Sequence, residues 1–278
     1  MITISSKLTA LLLAGALAVS AQECKPSFGS LVHHWNLDEG RDWHDMPFPF
    51  ETDINHADDS VGGNKLILPS TKTNKFWASG RQFSGIQLSG GWVRAQKNID
   101  TLAGSATLSF WMRSKDTAGG KGSVIGDKGG IQWGCIDAKG HVGIAINGRI
   151  VLRSKTAVTD DKWHHVVLTR QAKSGELCVY VDGKQEAKAT GATGVLGKEY
   201  NCFGGTQGVG NFKGVLDQIY VFKAPINEVT IAALLDNHAP KVYDQEHLVD
   251  RKKPTKTGSI LHLYTYVGKQ VCPFIFAL

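Results

Sequence analysis

The chain has 278 residues, 42% hydrophobic and 20% charged, which supplies a core of native size and excludes a disordered chain. Its 32 glycines against 8 prolines are scattered without a triplet period, which excludes collagen and points to many turns. A formal charge of +6 permits an anionic partner, but the basic residues stand singly and form no stripe, so nucleic acid is not expected.

The N-terminus reads as a secretion signal. Lys7 precedes an apolar run from Leu8 to Val19, and Ser20-Ala21 precede the polar Gln22-Glu23, so residues 1–21 are expected to be cleaved after Ala21. The run is well short of the ~20 residues that span a bilayer, so no transmembrane segment is expected. Cys24 follows Gln22-Glu23 instead of small residues, which argues against lipidation. The expected location is secreted, periplasmic or cell-surface, where Cys24, Cys135, Cys178, Cys202 and Cys272 are expected to pair as disulfides with at least one left over. No two cysteines have the spacing of a zinc knuckle or a redox motif.

After a short lead over residues 22–30, residues 31–239 break into short segments rich in Val, Ile, Phe, Trp and Thr between glycine-bearing turns, the pattern of one antiparallel all-β domain. Strands are predicted at Leu31 to Leu37, Lys65 to Leu68, Thr107 to Arg113, Ile131 to Ile136, Val142 to Ile146, His164 to Arg170, Leu177 to Val181 and Leu216 to Phe222. In the third, Leu108, Phe110 and Met112 share one face while Thr107, Ser109, Trp111 and Arg113 take the other. Asn147-Gly148 and Asp182-Gly183 are dipeptides that accept positive φ cheaply, so each predicts a tight hairpin. From Pro225 onward, Val229, Ile231, Leu234 and Leu235 put one apolar stripe on a short helix. Residues 240–278 read as a linker and tail: Arg251-Lys252-Lys253-Pro254 is solvated, and alternation from Leu261 to Val267 permits one added strand.

Trp163-His164-His165-Val166-Val167-Leu168-Thr169-Arg170, followed by Glu176-Leu177-Cys178-Val179-Tyr180-Val181-Asp182-Gly183, resembles the central hairpin of laminin-G-like, concanavalin A-like domains. His34-Trp35-Asn36-Leu37-Asp38-Glu39-Gly40 resembles the opening strand of that family. Thr107 to Met112 is similar to its mid-domain strand, and Phe212 to Phe222 to its closing strand. The resemblance implies a jelly-roll β-sandwich, two stacked antiparallel sheets with one short C-terminal helix, in an exported protein that binds glycans or other surface ligands. Arg41 to Asn55 is longer and more aromatic than the family's usual loop after the first strand, and the tail lies outside its pattern.

Hydrolysis of a glycosidic bond needs two carboxylates flanking it, roughly 5 Å apart for retention and further for inversion. The Glu-x-Asp-x-x-Glu strand of glucanases with this fold has no counterpart here, and Ile131-Gln132-Trp133 does not supply the Gln-Ile-His of an alginate-lyase-like site. Asp58-Asp59 sits among Asn55, Gly62, Gly63 and Asn64 and reads as a turn. The resemblance also implies a structural calcium ion, with Asp217 on the closing strand as a ligand and Asp38 or Asp59 nearby; hard cations take such oxygens. His33-His34 and His164-His165 do not suggest a metal cluster, because neighbours in a strand point to opposite faces.

Among the tryptophans, Trp35, Trp111 and Trp163 fall inside strands and are expected to pack, Trp163 as a core ring. Trp43, Trp77 and Trp133 lie nearer loops and are the candidate ligand-binding rings, since an indole offers a flat apolar surface to a pyranose. The expected function is a non-catalytic, exported recognition domain for a polysaccharide or glycoconjugate. A structural or adhesive module that binds a surface protein is the alternative, with a polysaccharide hydrolase or lyase third.

Overall fold

The computed structural model describes residues 25–40, 55–69, 76–120, 122–127, 129–206, 209–236, 262–267 and 270–275. The chain divides into two compact units, Met1–Pro240 and Lys241–Leu278. The expected signal peptide and Cys24 lie outside the described residues.

In chain order the first unit holds β1 (Leu31–Trp35), β2 (His56–Ala57), β3 (Leu66–Ile67), β4 (Trp77–Ser79), β5 (Ser84–Ser89), β6 (Val93–Ala95) and β7 (Ala106–Arg113). It continues through β8 (Ile125–Gly126), β9 (Ile131–Ile136), β10 (His141–Ile146), β11 (Arg149–Ala157), β12 (Trp163–Gln171), β13 (Glu176–Val181) and β14 (Lys184–Thr190). The last elements are β15 (Cys202–Phe203), β16 (Gly205–Thr206), β17 (Val209–Asn211), β18 (Lys213–Phe222) and the helix α1 (Glu228–Leu235). In the second unit β19 (His262–Val267) and β20 (Gln270–Ile275) pair antiparallel, so the alternation from Leu261 forms one arm of a hairpin.

Two antiparallel sheets result, a β-sandwich of jelly-roll type. The first runs β14-β13-β12-β7-β18-β5-β4 with β1 beside β18, and the second runs β11-β10-β9-β8-β15-β6-β3-β2. Leu108, Phe110 and Met112 of β7 enter the shared core with Val166 and Leu168 of β12 and Ile131, Trp133 and Ile144 of the second sheet. Positive φ at both Asn147 (51°) and Gly148 (75°), and at both Asp182 (50°) and Gly183 (80°), gives the two tight hairpins the geometry that suits strand twist.

The helix begins three residues after Pro225, because Asn227 caps it: its Oδ1 accepts the Thr230 N–H at 2.9 Å, worth about 1 kcal/mol. Ile231 then packs on Val167, Cys178 and Tyr180, while Leu234 packs on Tyr220 and Phe222. Burying these two side chains contributes roughly 1.5–3 kcal/mol each. These contacts cover part of the first sheet's outer face.

β18 changes neighbours along its length. Lys213 to Leu216 pair with β5, whereas Ile219 to Phe222 pair with β1. The switch falls at a bulge where Gln218 takes φ 49°, which places Asp217 at the junction of three strands.

Two expectations are corrected here, the pairing of Cys135, Cys178 and Cys202 and the burial of Trp163, while Cys24 and the side chain of Cys272 lie outside the described residues. Cys135, Cys178 and Cys202 are buried free thiols, and the described residues contain no disulfide. Cys135 in β9 and Cys202 in β15 are separated by β8, about 9.5 Å at normal strand spacing, and Cys178 lies on the other sheet; bridging needs Cα atoms within about 7 Å. Trp163 is not a core ring. It is half-exposed on the outer face of β12, with the Arg113 guanidinium 5.3 Å from its centroid.

Candidate functional site

Of the three candidate rings, Trp43 lies outside the described residues. Trp77 sits in the edge strand β4, half-buried against the core, and the Gly40 backbone lies flat on its ring: a Cβ there would come within 2.1 Å of the indole. That face is closed to a ligand. Trp133 is 0% exposed, and its Nε1 donates to the Leu102 carbonyl at 3.2 Å. The reading of Trp133 as a binding ring is therefore corrected, because alternation in β9 turns it into the core.

The candidate metal ligands have other partners. Asp59 is a loop clamp. Its Oδ1 accepts the N–H groups of His34, Val61 and Gly62 at 3.0–3.1 Å, and its Oδ2 accepts from Asn64 N at 3.0 Å and His33 Nδ1 at 2.6 Å. Burial alone would raise its carboxyl, but these donors hold it below the ordinary aspartate range. Asp217 is 0% exposed; its Oδ2 accepts the Arg81 and Gln82 N–H groups at 2.8 and 3.0 Å, and its Oδ1 accepts the Gln218 N–H at 2.7 Å. Burial pushes Asp217 up to about 8, with the charge of Asp38 acting in the same direction and the N–H bonds opposing. Asp38 Oδ2 accepts from Asn36 Nδ2 at 3.0 Å.

A calcium ion shared by these carboxylates would have to displace hydrogen-bond donors, five on Asp59 and three on Asp217. Among the described residues no group of three or more His, Cys, Asp or Glu side chains is placed to hold a metal ion. Nearby, Glu39 Oε1 accepts the Asp58 N–H at 2.8 Å while its Oε2 is buried without a hydrogen bond, and burial pushes the group to about 7.

A more open arrangement lies on the outer face of the second sheet. Ser89-Gly90-Gly91 turns the chain from β5 into β6, with Gly90 at φ 90°. From there the side chains alternate: Val93 and Ala95 enter the core, while Trp92, Arg94 and Gln96 face outward. Trp92 is 41% exposed, and the Arg94 guanidinium lies 5.6 Å from its ring centroid. Arg94 pairs across strands with Ile67, which in turn pairs with His56. Beside them Lys65 Nζ holds Asp58 at 2.8 Å and lies 3.3 Å from His56 Nε2.

The strip thus combines an accessible indole with a guanidinium, an imidazole, an ammonium and an amide. An indole face attracts apolar C–H groups, and the polar neighbours supply directed hydrogen bonds. Trp92 was not among the candidate rings, although a Gly-Gly turn followed by strict alternation marks it as outward-facing.

The sequence profile of the family described as Concanavalin A-like lectin/glucanases superfamily matches residues 88–232. Among solved structures, domain 4 of AbnA, a GH43 extracellular arabinanase from Geobacillus stearothermophilus in complex with arabinotriose, aligns over 74% of this chain and 98% of that one, at TM-score 0.50 and 16% identity. The binding domain of botulinum neurotoxin DC in complex with SialylT aligns over 75% of this chain at TM-score 0.51 and 15% identity, and Trypanosoma rangeli sialidase over 76% at 0.51 and 12%. This chain spans 52% of that neurotoxin chain and 33% of the sialidase chain. At these identities the likeness is one of fold.

Proposed function

This chain belongs to the Concanavalin A-like lectin/glucanases superfamily, and on that premise we propose that it is a non-catalytic carbohydrate-binding module acting through the strip around Trp92. The observation that carries the proposal is the exposed Trp92 ring with Arg94 beside it. A pyranose lays its C–H face on the free area of the indole, and Arg94, His56 and Gln96 hydrogen-bond its hydroxyls. The arabinanase domain and the neurotoxin domain, each solved with a saccharide ligand, support the reading by fold analogy.

Binding without catalysis suits the chemistry of the strip. Cleavage needs a proton-donating acid and a second carboxylate, whereas the strip offers one carboxylate, Asp58, paired with Lys65 at 2.8 Å. The ligand class is a polysaccharide or glycoconjugate. Export belongs to the same proposal and rests on the apolar run from Leu8 to Val19.

The test is an immobilised glycan array probed with the full chain and with Trp92→Ala. Binding to a defined set of glycans by the wild type, lost in the variant, is the expected result. No bound glycan at all, or an unchanged pattern in Trp92→Ala, would overturn the proposal; capture of a surface protein alone would favour the adhesive alternative.

A further inference from the structure

The part of the first sheet's outer face that α1 leaves uncovered carries two indole–guanidinium pairs. Arg113 in β7 pairs across strands with Trp163 in β12, and its Cζ lies 5.3 Å from that ring centroid. Arg81, in the turn between β4 and β5, places its Cζ 4.8 Å from the centroid of Trp111. Trp111 and Arg113 are two residues apart on one strand and so share the outward face, about 7 Å apart along it. Arg81 is exposed and Arg113 half-exposed.

Neither guanidinium is spent on an acid. The ion pairs among the described residues engage Arg153 and the lysines 65, 162, 188 and 213, with histidines in the remainder. Asp217 contacts Arg81 through the main chain: both of its oxygens accept backbone N–H groups, including that of Arg81. Asp217 therefore positions the turn and does not neutralise the side chain.

A guanidinium held over an indole ring still has N–H donors to spare, and its planar fork matches the two oxygens of a carboxylate. Pre-ordering by the ring also lowers the entropy cost of using a long side chain. We propose that this face is a second glycan-binding surface, separate from the Trp92 strip, that recognises the carboxylates of an acidic polysaccharide built of uronic acids through Arg81 and Arg113. The formal charge of +6 favours the encounter with such a polyanion. Because the two surfaces lie on different sheets, failure of one leaves the other standing.

The experiment measures binding of the full chain to polygalacturonate and to its fully methyl-esterified form, which keeps the sugar and removes the charge. The wild type is expected to bind the acid polymer at least tenfold more tightly than the ester. The double variant Arg81→Gln with Arg113→Gln should lose that preference, Arg81→Lys with Arg113→Lys should recover only part of it, and Trp92→Ala should leave it intact. Equal binding of both polymers by the wild type, or a preference kept in the glutamine double variant, would overturn the proposal.

Discussion

The outer faces of the two sheets solve one problem in different ways. On the first sheet, α1 covers Val167, Cys178 and Tyr180, His34 stacks on Tyr220 at 4.1 Å, and the remaining rings, Trp111 and Trp163, lie under the guanidinium groups of Arg81 and Arg113, which reach solvent. On the second sheet the central outward positions in register are Gly126, Gln132 and Ala145, and the exposed aromatic is Trp92, just before β6. Where arginines lie over the rings, a face offers charge. Where the ring itself is exposed, as at Trp92, it offers an apolar platform.

The comparison breaks first on the tryptophans. Trp133 fills the core between the sheets, so Trp133→Ala should cost ~3–5 kcal/mol, a fall of roughly 10 °C in melting temperature for a domain of this size. Trp163 lies outside and touches Arg113, so Trp163→Ala should cost only ~1 kcal/mol. Thermal denaturation of both variants by circular dichroism decides the order. Equal losses would mean that the outer ring packs as tightly as the inner one.

A second contrast is in pH. Asp217 on the first sheet keeps its proton in the folded state up to about 8, while the unfolded chain releases it near 3.8. Its contribution is therefore full below pH 4 and declines as the pH rises towards 8. Glu39, held at about 7, acts in the same direction. Asp137, on the second sheet's β9–β10 turn, is held at about 2 by His141 against the opposing effect of burial, so its contribution is present above pH 4 and lost as the pH falls towards 2. Asp217→Asn should flatten the fall in melting temperature between pH 5 and pH 8.5. An unchanged slope would place the titrating group elsewhere.

The smallest expected effect is that of chelation. With five hydrogen-bond donors already on Asp59 and three on Asp217, the wild type should melt within a degree in chelator and in millimolar calcium. A rise of several degrees in calcium would restore the ion that the family resemblance implies and require these carboxylates to turn.

Much of the sandwich was legible because its central strands carry long alternating patterns and its hairpins carry Asn-Gly and Asp-Gly. The strands that escaped were mostly edge or very short ones, with β5 the exception: six residues, paired with β18 and β4, that read Ser84-Gly85-Ile86-Gln87-Leu88-Ser89 with few apolar positions. β14 reads Lys184-Gln185-Glu186-Ala187-Lys188, since an edge strand pairs on one side only and uses charge against aggregation. β6, β8 and β15 have two or three residues, too few to show a period. The site was harder to read. Trp133 looked like a loop ring because glycines surround it, yet its strand is buried on both faces. Cysteine parity carries no information on which strand lies between two thiols.

The central claim is that Trp92 is the sugar platform. Isothermal titration of the best array glycan into the wild type, Trp92→Phe and Trp92→Ala tests it most directly, since an exposed ring contributes little to stability and all three should fold alike. The account predicts a tenfold or greater loss of affinity in Trp92→Ala, about 1.4 kcal/mol, with much of it recovered in Trp92→Phe. Equal affinities across the three proteins would contradict it and move the binding surface off the second sheet.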